Sequence, residues 1–236
     1  MRNRLLFILG GVALLVVAGV ALAGARDGAA TGFSRRGTVR VAFVITENAN
    51  VMDFAGPWET FQDVEVRGGA FELYTVSDSR KPVKMTGGVM VVPDHGFNDA
   101  PLPHVVVVGA QRGSAAMDAW LEKVAPQADV VMSVCTGAFK LARVGLLDGK
   151  AATTHHDFFD DFARQYPAVR LERGRRWVES SPKVYTAGGL TSGIDLALHI
   201  VAKYHGDEVA DRTAFYMEHD GNGWKDATAT PVARAR

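Results

Sequence analysis

The chain of 236 residues holds one cysteine, Cys135, and no excess charge of either sign, with 26 Lys and Arg against 26 Asp and Glu. A lone cysteine cannot close an internal disulfide, so no covalent staple of that kind is available to the fold. Cys135 is either a small buried hydrophobe or a thiol kept free for chemistry. The missing basic excess argues against a nucleic-acid partner, which would require clustered Lys and Arg to release counterions. Internal repeats and low-complexity tracts are also absent. What remains is an ordinary globular composition, 47% hydrophobic and 22% charged, able to bury a core.

The N-terminus departs from that composition. Arg2 and Arg4 precede an uninterrupted apolar run from Leu5 to Ala25, closed by Arg26 and Asp27. As a helix the run would be about 31 Å long, enough to cross a bilayer core. Ala21-Leu22-Ala23 and Ala23-Gly24-Ala25 have the small-x-small form that a signal peptidase cuts. Residues 1–25 are therefore expected to be a signal-anchor or a signal peptide, with the domain exported. It would be anchored in the inner membrane outside the cytoplasm, or soluble in the periplasm or secreted after cleavage. The absence of cysteine near this segment excludes lipoprotein attachment. Residues 26–38, small, polar and basic, read as a linker, residues 39–220 as one domain, and residues 221–236 as an irregular tail.

Within the domain, near-continuous apolar runs at Val39 to Ile45, Phe71 to Val76, His104 to Val108 and Asp129 to Val134 read as strands. A further strand ends at Tyr185-Thr186, and Val89 to Val92 fits a short extra strand or hairpin arm. Helical patterns fall near Asp53 and over Ala115 to Val124, Thr136 to Val144, Ile194 to Tyr204 and Asp207 to Met217. Apolar strands alternating with helices predict an α/β fold around a mainly parallel sheet buried on both faces.

In such sheets, chemistry collects beyond the carboxyl ends of the strands. There the strand 130–134 runs into Cys135 and a helix leaves it, with Ser133 and Gly137 two residues to each side. This is the small-x-nucleophile-x-small elbow, whose small flanks let strand and helix backbones approach around a strained residue. Free N–H groups at the helix start are expected to lower the thiol pKa. The Thr136 N–H would face developing charge. The end of the run 105–108 offers a second backbone donor at Gly109 or Ala110. Asp53, after the first strand, is either a helix N-cap or a carboxylate placed to relay a proton.

His155 and His156 follow Thr153-Thr154. Adjacent residues in an extended stretch point to opposite faces and no third ligand is evident, so neither a metal nor another cofactor is expected. One of the pair near the thiol fits better. His95, His104, His199, His205 and His219 read as surface or helix-packing residues, and Glu59 and Asp195 as ordinary helix carboxylates.

Three segments in this order, MDFAGPWETF, SVCTGAFKLARVGLLDGKAATTHH and TAGGLTSGIDLALHIV, resemble the ThiJ/PfpI superfamily, whose members share a fold with class I glutamine amidotransferase domains. The resemblance spans roughly Val39 to Met217 and is closest to the isonitrile hydratase group and to similar domains of some transcription regulators. It implies a flavodoxin-like three-layer sandwich, a homodimer and a reactive elbow cysteine. It also implies assistance from Asp53 of the D-x-x-G-P motif and from Thr136, with His155 beside the site and the amides of Gly109 and Ala110 facing the thiol. Several positions depart from the pattern. Ala110 replaces a second glycine, Val108 stands where proline is common, and His156 replaces an aromatic residue. Thr136 replaces the histidine of the protease-like branch, and Asp53 the glutamate of the deglycase and glyoxalase branch. No helix-turn-helix segment follows. The implied activity is hydration of a small-molecule electrophile through a Cys135 adduct. The alternatives are a glyoxalase or deglycase, and a non-enzymatic membrane-associated domain that senses oxidants or binds a ligand.

Overall fold

The computed structural model describes residues 37–65 and 71–228. The expected signal or anchor at 1–25, the membrane contact drawn from it and most of the linker lie outside the described residues. Among the described residues, no helix is long and apolar enough to cross a membrane.

The elements follow in the order β1 (Val39–Val44), α1 (Val51–Gln62), β2 (Phe71–Ser77), β3 (Val83–Lys84), β4 (Met90–Val91), β5 (His95–Gly96), β6 (Val105–Val108), α2 (Ala115–Val124), β7 (Val130–Ser133), α3 (Gly137–Arg143), β8 (Ala151–Ala152), α4 (Phe159–Gln165), β9 (Arg170–Leu171), β10 (Trp177–Ser181), β11 (Val184–Ala187), α5 (Ser192–His205) and α6 (Asp207–Tyr216). Seven strands form one sheet in the order β10-β11-β7-β6-β1-β2-β5. Every neighbouring pair is parallel except the edge pair β10 and β11. The α/β class and mainly parallel sheet predicted from the apolar runs are present. The five central strands, read by their rank along the chain, run 2-1-3-4-5, a doubly wound order whose direction of winding reverses between β1 and β6.

Alternation along β1 explains the two layers around the sheet. Val39, Val41 and Phe43 face a core shared with Phe61 of α1, with Leu196, Ala197 and Ile200 of α5 and with Ala210 of α6. Ala42 and Val44 face the opposite core, with Met117 and Leu121 of α2, Leu141 of α3 and Phe162 of α4. Val105 to Val108 and Val130 to Ser133 are buried along their whole length, as parallel strands covered on both faces must be. Helices α1 and α5 pack through small residues. A Cβ on Gly56 would stand 3.0 Å from Ile194 Cγ1, and one on Gly193 would stand 3.2 Å from Pro57 Cγ.

Sequence periodicity missed β3, β5, β8, β9 and α4, which are too short to display a period, and β10, whose Glu179, Ser180 and Ser181 break any apolar run. The segment beyond α6 has no helix or strand through residue 228, yet it is docked. Trp224 is buried, the Trp177 indole N–H donates to the Gly223 carbonyl at 2.8 Å, and the Arg176 N–H donates to the Ala227 carbonyl at 3.0 Å.

Asp195 corrects an expectation. Read as an ordinary helix carboxylate, it is instead 1% exposed and fully paired. Its Oδ2 accepts from Arg176 Nε at 2.6 Å and from the same guanidinium's terminal nitrogen, while His219 Nε2 lies 2.9 Å from Oδ1. A Cβ on Gly223 would come within 2.6 Å of this carboxylate, so glycine there admits the anchor of the tail.

His199 is stacked on Trp177 with ring centroids 4.0 Å apart, and its Nε2 is buried without a partner. Burial, reinforced by the Lys203 charge, pushes its pKa down from 6.5 to about 4. The unfolded chain therefore binds more protons than the folded one between those values. Stability contributed by neutral His199 is complete above pH 6.5 and lost as pH falls toward 4. Denaturant unfolding should show a decline of roughly 2–3 kcal/mol from this group across that window. In His199→Phe the decline should be smaller by that amount; an identical pH slope in the variant contradicts the assignment.

Candidate active site

The carboxyl ends of four strands are level. Val44 pairs with Val108, Val108 with Ser133, and Ser133 with Thr186. Residues that follow these ends share one rim, centred where the strand order reverses.

Cys135 occupies the turn from β7 into α3 with φ of 57°, the left-handed region, which costs a non-glycine residue about 1–2 kcal/mol. The surroundings hold it there. Its N–H donates to the Gly188 carbonyl at 2.8 Å, its carbonyl accepts the Thr154 hydroxyl at 2.9 Å, and the preceding Val134 N–H donates to the Val108 carbonyl at 3.0 Å. A Cβ on Gly137 would lie 2.0 Å from the Val108 carbonyl oxygen, so the small residue two positions after the cysteine is a steric necessity.

Asp53 comes from the first turn of α1. The N-cap is not Asp53 but Asn50, whose Oδ1 accepts the N–H groups of Met52 at 2.9 Å and Asp53 at 3.2 Å. Freed from capping, Asp53 is 0% exposed and turned toward the rim. Its Oδ2 accepts the Ala110 N–H at 2.8 Å, while its Oδ1 is buried without a partner in ordinary hydrogen-bond geometry. Burial raises the Asp53 pKa from 3.8 to about 6 against the Ala110 N–H, the Leu190 N–H and the Cys135 side chain, which all favour the charged form. Gly109 makes room for this carboxyl, since a Cβ there would lie 2.8 Å from Asp53 Cβ.

The thiol pKa moves opposite to the expectation drawn from the helix start. Burial and then the Asp53 charge push Cys135 up to about 12, and the N–H and hydroxyl of Thr136, which stabilise the thiolate, do not offset them. At neutral pH Asp53 and Cys135 hold one proton between them, and it sits on sulfur. A second expectation also changes. The Ala110 N–H, read as a charge-stabilising donor, is already taken by Asp53, so Thr136 supplies the donors that reach the sulfur.

His155 lines the same opening but does not pair with the thiol. Its Nδ1 accepts the Asp157 N–H at 3.2 Å, and its ring lies over Gly189, where a Cβ would stand 2.1 Å from Cδ2. Burial and the neighbouring His156 lower its pKa. The two rings do not point to opposite faces, as an extended chain would require. His156 opens a 3-10 turn, and the rings stack with centroids 4.4 Å apart. His155, His156 and Asp157 each offer a ligand atom within 4.8 Å of the others and are the described residues best able to hold a metal. They are three adjacent residues at an open turn, and His156 Nε2 is already paired with Asp157 Oδ1 at 3.1 Å.

These groups border a cleft of about 470 Å³ that also touches Asn48, Asn50, Gln111, Arg112, Phe158 and Leu190. Sequence reasoning brought Cys135, Thr136, Ala110 and His155 to this cleft, with Asp53 and Gly109 behind it. It missed Thr154, Gly188 and Leu190. The pair Gly188-Gly189 at the end of β11 was the available signal, because a strand-end glycine admits close backbone approach. Leu190, at φ of 51°, gave no signal.

Comparison with known proteins agrees with this geometry. The family model for the DJ-1/PfpI family matches residues 39–203. Isonitrile hydratase of Pseudomonas putida is 29% identical over 187 residues, covering 77% of this chain and 78% of that one. The HTH-type transcriptional regulator GbdR of Pseudomonas aeruginosa is 28% identical over 178 residues, covering 72% of this chain but 48% of the regulator. The crystal structure of a ThiJ/PfpI family protein from Pseudomonas syringae superposes with a TM-score of 0.69 at 27% identity, covering 79% of this chain and 77% of that one.

The coupling of thiol and carboxyl has a direct test. Asp53→Asn keeps an acceptor for the Ala110 N–H but removes the charge that raises the thiol pKa. Each unit by which that pKa falls multiplies the thiolate about tenfold at a fixed lower pH. Iodoacetamide labelling of Cys135 at pH 8.5, followed by mass spectrometry, should accelerate about tenfold in Asp53→Asn. Slower labelling than in the wild type contradicts the arrangement.

Proposed function

The chain belongs to the DJ-1/PfpI family, and from that premise we propose that it is a cysteine-dependent enzyme that adds water to a small electrophilic carbon, an isonitrile being the reference substrate. The observation that carries this reading is the buried Asp53 carboxyl acting on the Cys135 thiol, with a pKa near 6 on one side and near 12 on the other. Such a pair is set to move one proton between sulfur and a reacting carbon.

The sulfur attacks the terminal carbon of R–N≡C while Asp53 takes the thiol proton and returns it to that carbon, giving R–N=CH–S–Cys135. Water then adds through oxygen to the same carbon, one of its protons passing to nitrogen. The resulting R–NH–CH(OH)–S–Cys135 collapses. The carbon–sulfur bond breaks, the hydroxyl proton returns by way of Asp53 to sulfur, and an N-substituted formamide leaves. Thr136, whose N–H and hydroxyl stabilise negative charge on the sulfur, lowers the energy of the departing thiolate. His155 takes no proton in this scheme.

A second reading keeps the same pocket without turnover, as a ligand-binding domain. It is favoured by the resting thiol, protonated and 6% exposed, and by relatives in which a matching segment is about half of a transcription regulator.

The full chain, incubated with cyclohexyl isocyanide, should yield the formamide by chromatography. Cys135→Ala should lose at least a thousandfold in rate and Asp53→Asn about a hundredfold or more. Asp53 must start ionised, so kcat/KM should fall as pH drops through about 6 and stay level to pH 9. Undiminished formamide production in Cys135→Ala would end the enzymatic reading, and saturable ligand binding with no product would favour the second.

A further inference from the structure

We infer that the cleft selects an anionic electrophile, one carrying a carboxylate or a similar acid group, and that Arg112 is the residue that reads it. The inference rests on the hydratase-type site for its nucleophile, but the electrostatic selection is a property of the cleft itself.

Arg112 follows β6 by four residues and lies on the cleft wall with Cys135 and Thr136. Its backbone is fixed at both polar groups. The N–H donates to the Glu47 carbonyl at 2.9 Å, and the carbonyl accepts Lys140 Nζ at 3.0 Å. The guanidinium is exposed, and among the described residues no carboxylate is paired with it. Seven other described arginines hold an Asp or Glu; Arg40 and Arg175, like Arg112, are in no ion pair, but of these three only Arg112 lines the cleft with the thiol.

The remaining wall complements an anion. None of the cleft-lining residues is Asp or Glu. The one carboxylate of the site, Asp53, is wholly buried behind the thiol and does not line the opening. The Oδ1 of Asn50 is engaged by two backbone N–H groups, leaving its NH2 donors for the cleft. Gln111, neutral, is held in place, its Oε1 accepting from Thr46 N at 2.6 Å and one Nε2 hydrogen donating to the Val44 carbonyl at 3.1 Å. Lys140 adds a positive charge behind the Arg112 backbone. A planar guanidinium with free donors suits a carboxylate held by two parallel hydrogen bonds.

The single cysteine makes the test clean, since alkylation of the full chain reports Cys135 alone. Iodoacetate and iodoacetamide carry the same electrophilic carbon and differ in charge. Their rates at pH 9, each normalised to a free small thiol, give a charge-selection ratio. Arg112→Gln should lower that ratio about fivefold, the size expected for a partly exposed ion pair, and Arg112→Lys should restore part of it. An unchanged ratio in a folded Arg112→Gln overturns the inference. Hydration of isocyanoacetate and cyclohexyl isocyanide separates the two levels of the argument. If both are hydrated but the alkylation ratio ignores Arg112, anion selection fails and the hydratase reading stands. If the ratio falls in Arg112→Gln and neither isocyanide is hydrated, the cleft selects anions and the hydratase reading fails.

Discussion

One carboxyl group, buried to 0% exposure beside a thiol, organises the candidate site. An isolated buried carboxylate is strongly disfavoured, and the chain answers with three small adjustments around Asp53. Asn50 takes over the helix cap, so the Asp53 side chain is free to turn inward. Gly109 leaves the space that a Cβ would fill. The Ala110 N–H then donates to one carboxyl oxygen. The other oxygen stays without an ordinary partner, and that residual desolvation raises the pKa to about 6. A fully satisfied Asp53 would be an inert anion, and a fully desolvated one would hold its own proton.

The elbow depends on contacts from three elements distant in sequence. Its strained φ is locked by Gly188 after β11, Thr154 after β8 and Val108 at the end of β6. Gly188 in turn donates its N–H to the Arg176 carbonyl at 2.9 Å, and the Arg176 side chain grips Asp195 together with His219 from the tail. The docked tail, the antiparallel edge pair and the elbow cysteine are thereby one connected set of hydrogen bonds. The segment after α6, irregular by its sequence, contributes to the rigidity on which a left-handed cysteine relies.

What the sequence made legible follows from what each signal measures. Buried parallel strands announce themselves as apolar runs, so β1, β2, β6 and β7 were readable, and with them the rim on which chemistry had to lie. The elbow was readable because its steric demand falls on a neighbouring residue, Gly137, as a visible substitution of size. Pairs formed across long sequence separations were not readable. Nothing local to Asp195 indicates Arg176 or His219, and nothing in Thr153-Thr154 marks one hydroxyl for the Cys135 carbonyl. The sign of the thiol pKa was misjudged for the same reason. The helix start is a local feature that lowers it, whereas the burial and the Asp53 charge that raise it come from α1, eighty-two positions earlier.

A high thiol pKa is at first sight the wrong property for a nucleophile. For the proposed addition to an isonitrile it is compatible, because the reacting carbon must gain both a sulfur and a proton. A preformed thiolate would bring the first without the second and would need an outside acid. A thiol beside a buried carboxylate would bring both, the carboxylate carrying the proton across the short distance from sulfur to the carbon being attacked. The same arrangement protects a lone cysteine from adventitious oxidants and alkylating agents, since reactivity toward them follows the thiolate fraction. Selectivity then falls to the cleft wall. With no carboxylate of its own on that wall and Arg112 unpaired, an incoming anion would be held where its electrophilic carbon meets the sulfur, and the proton would move only once that carbon is in place.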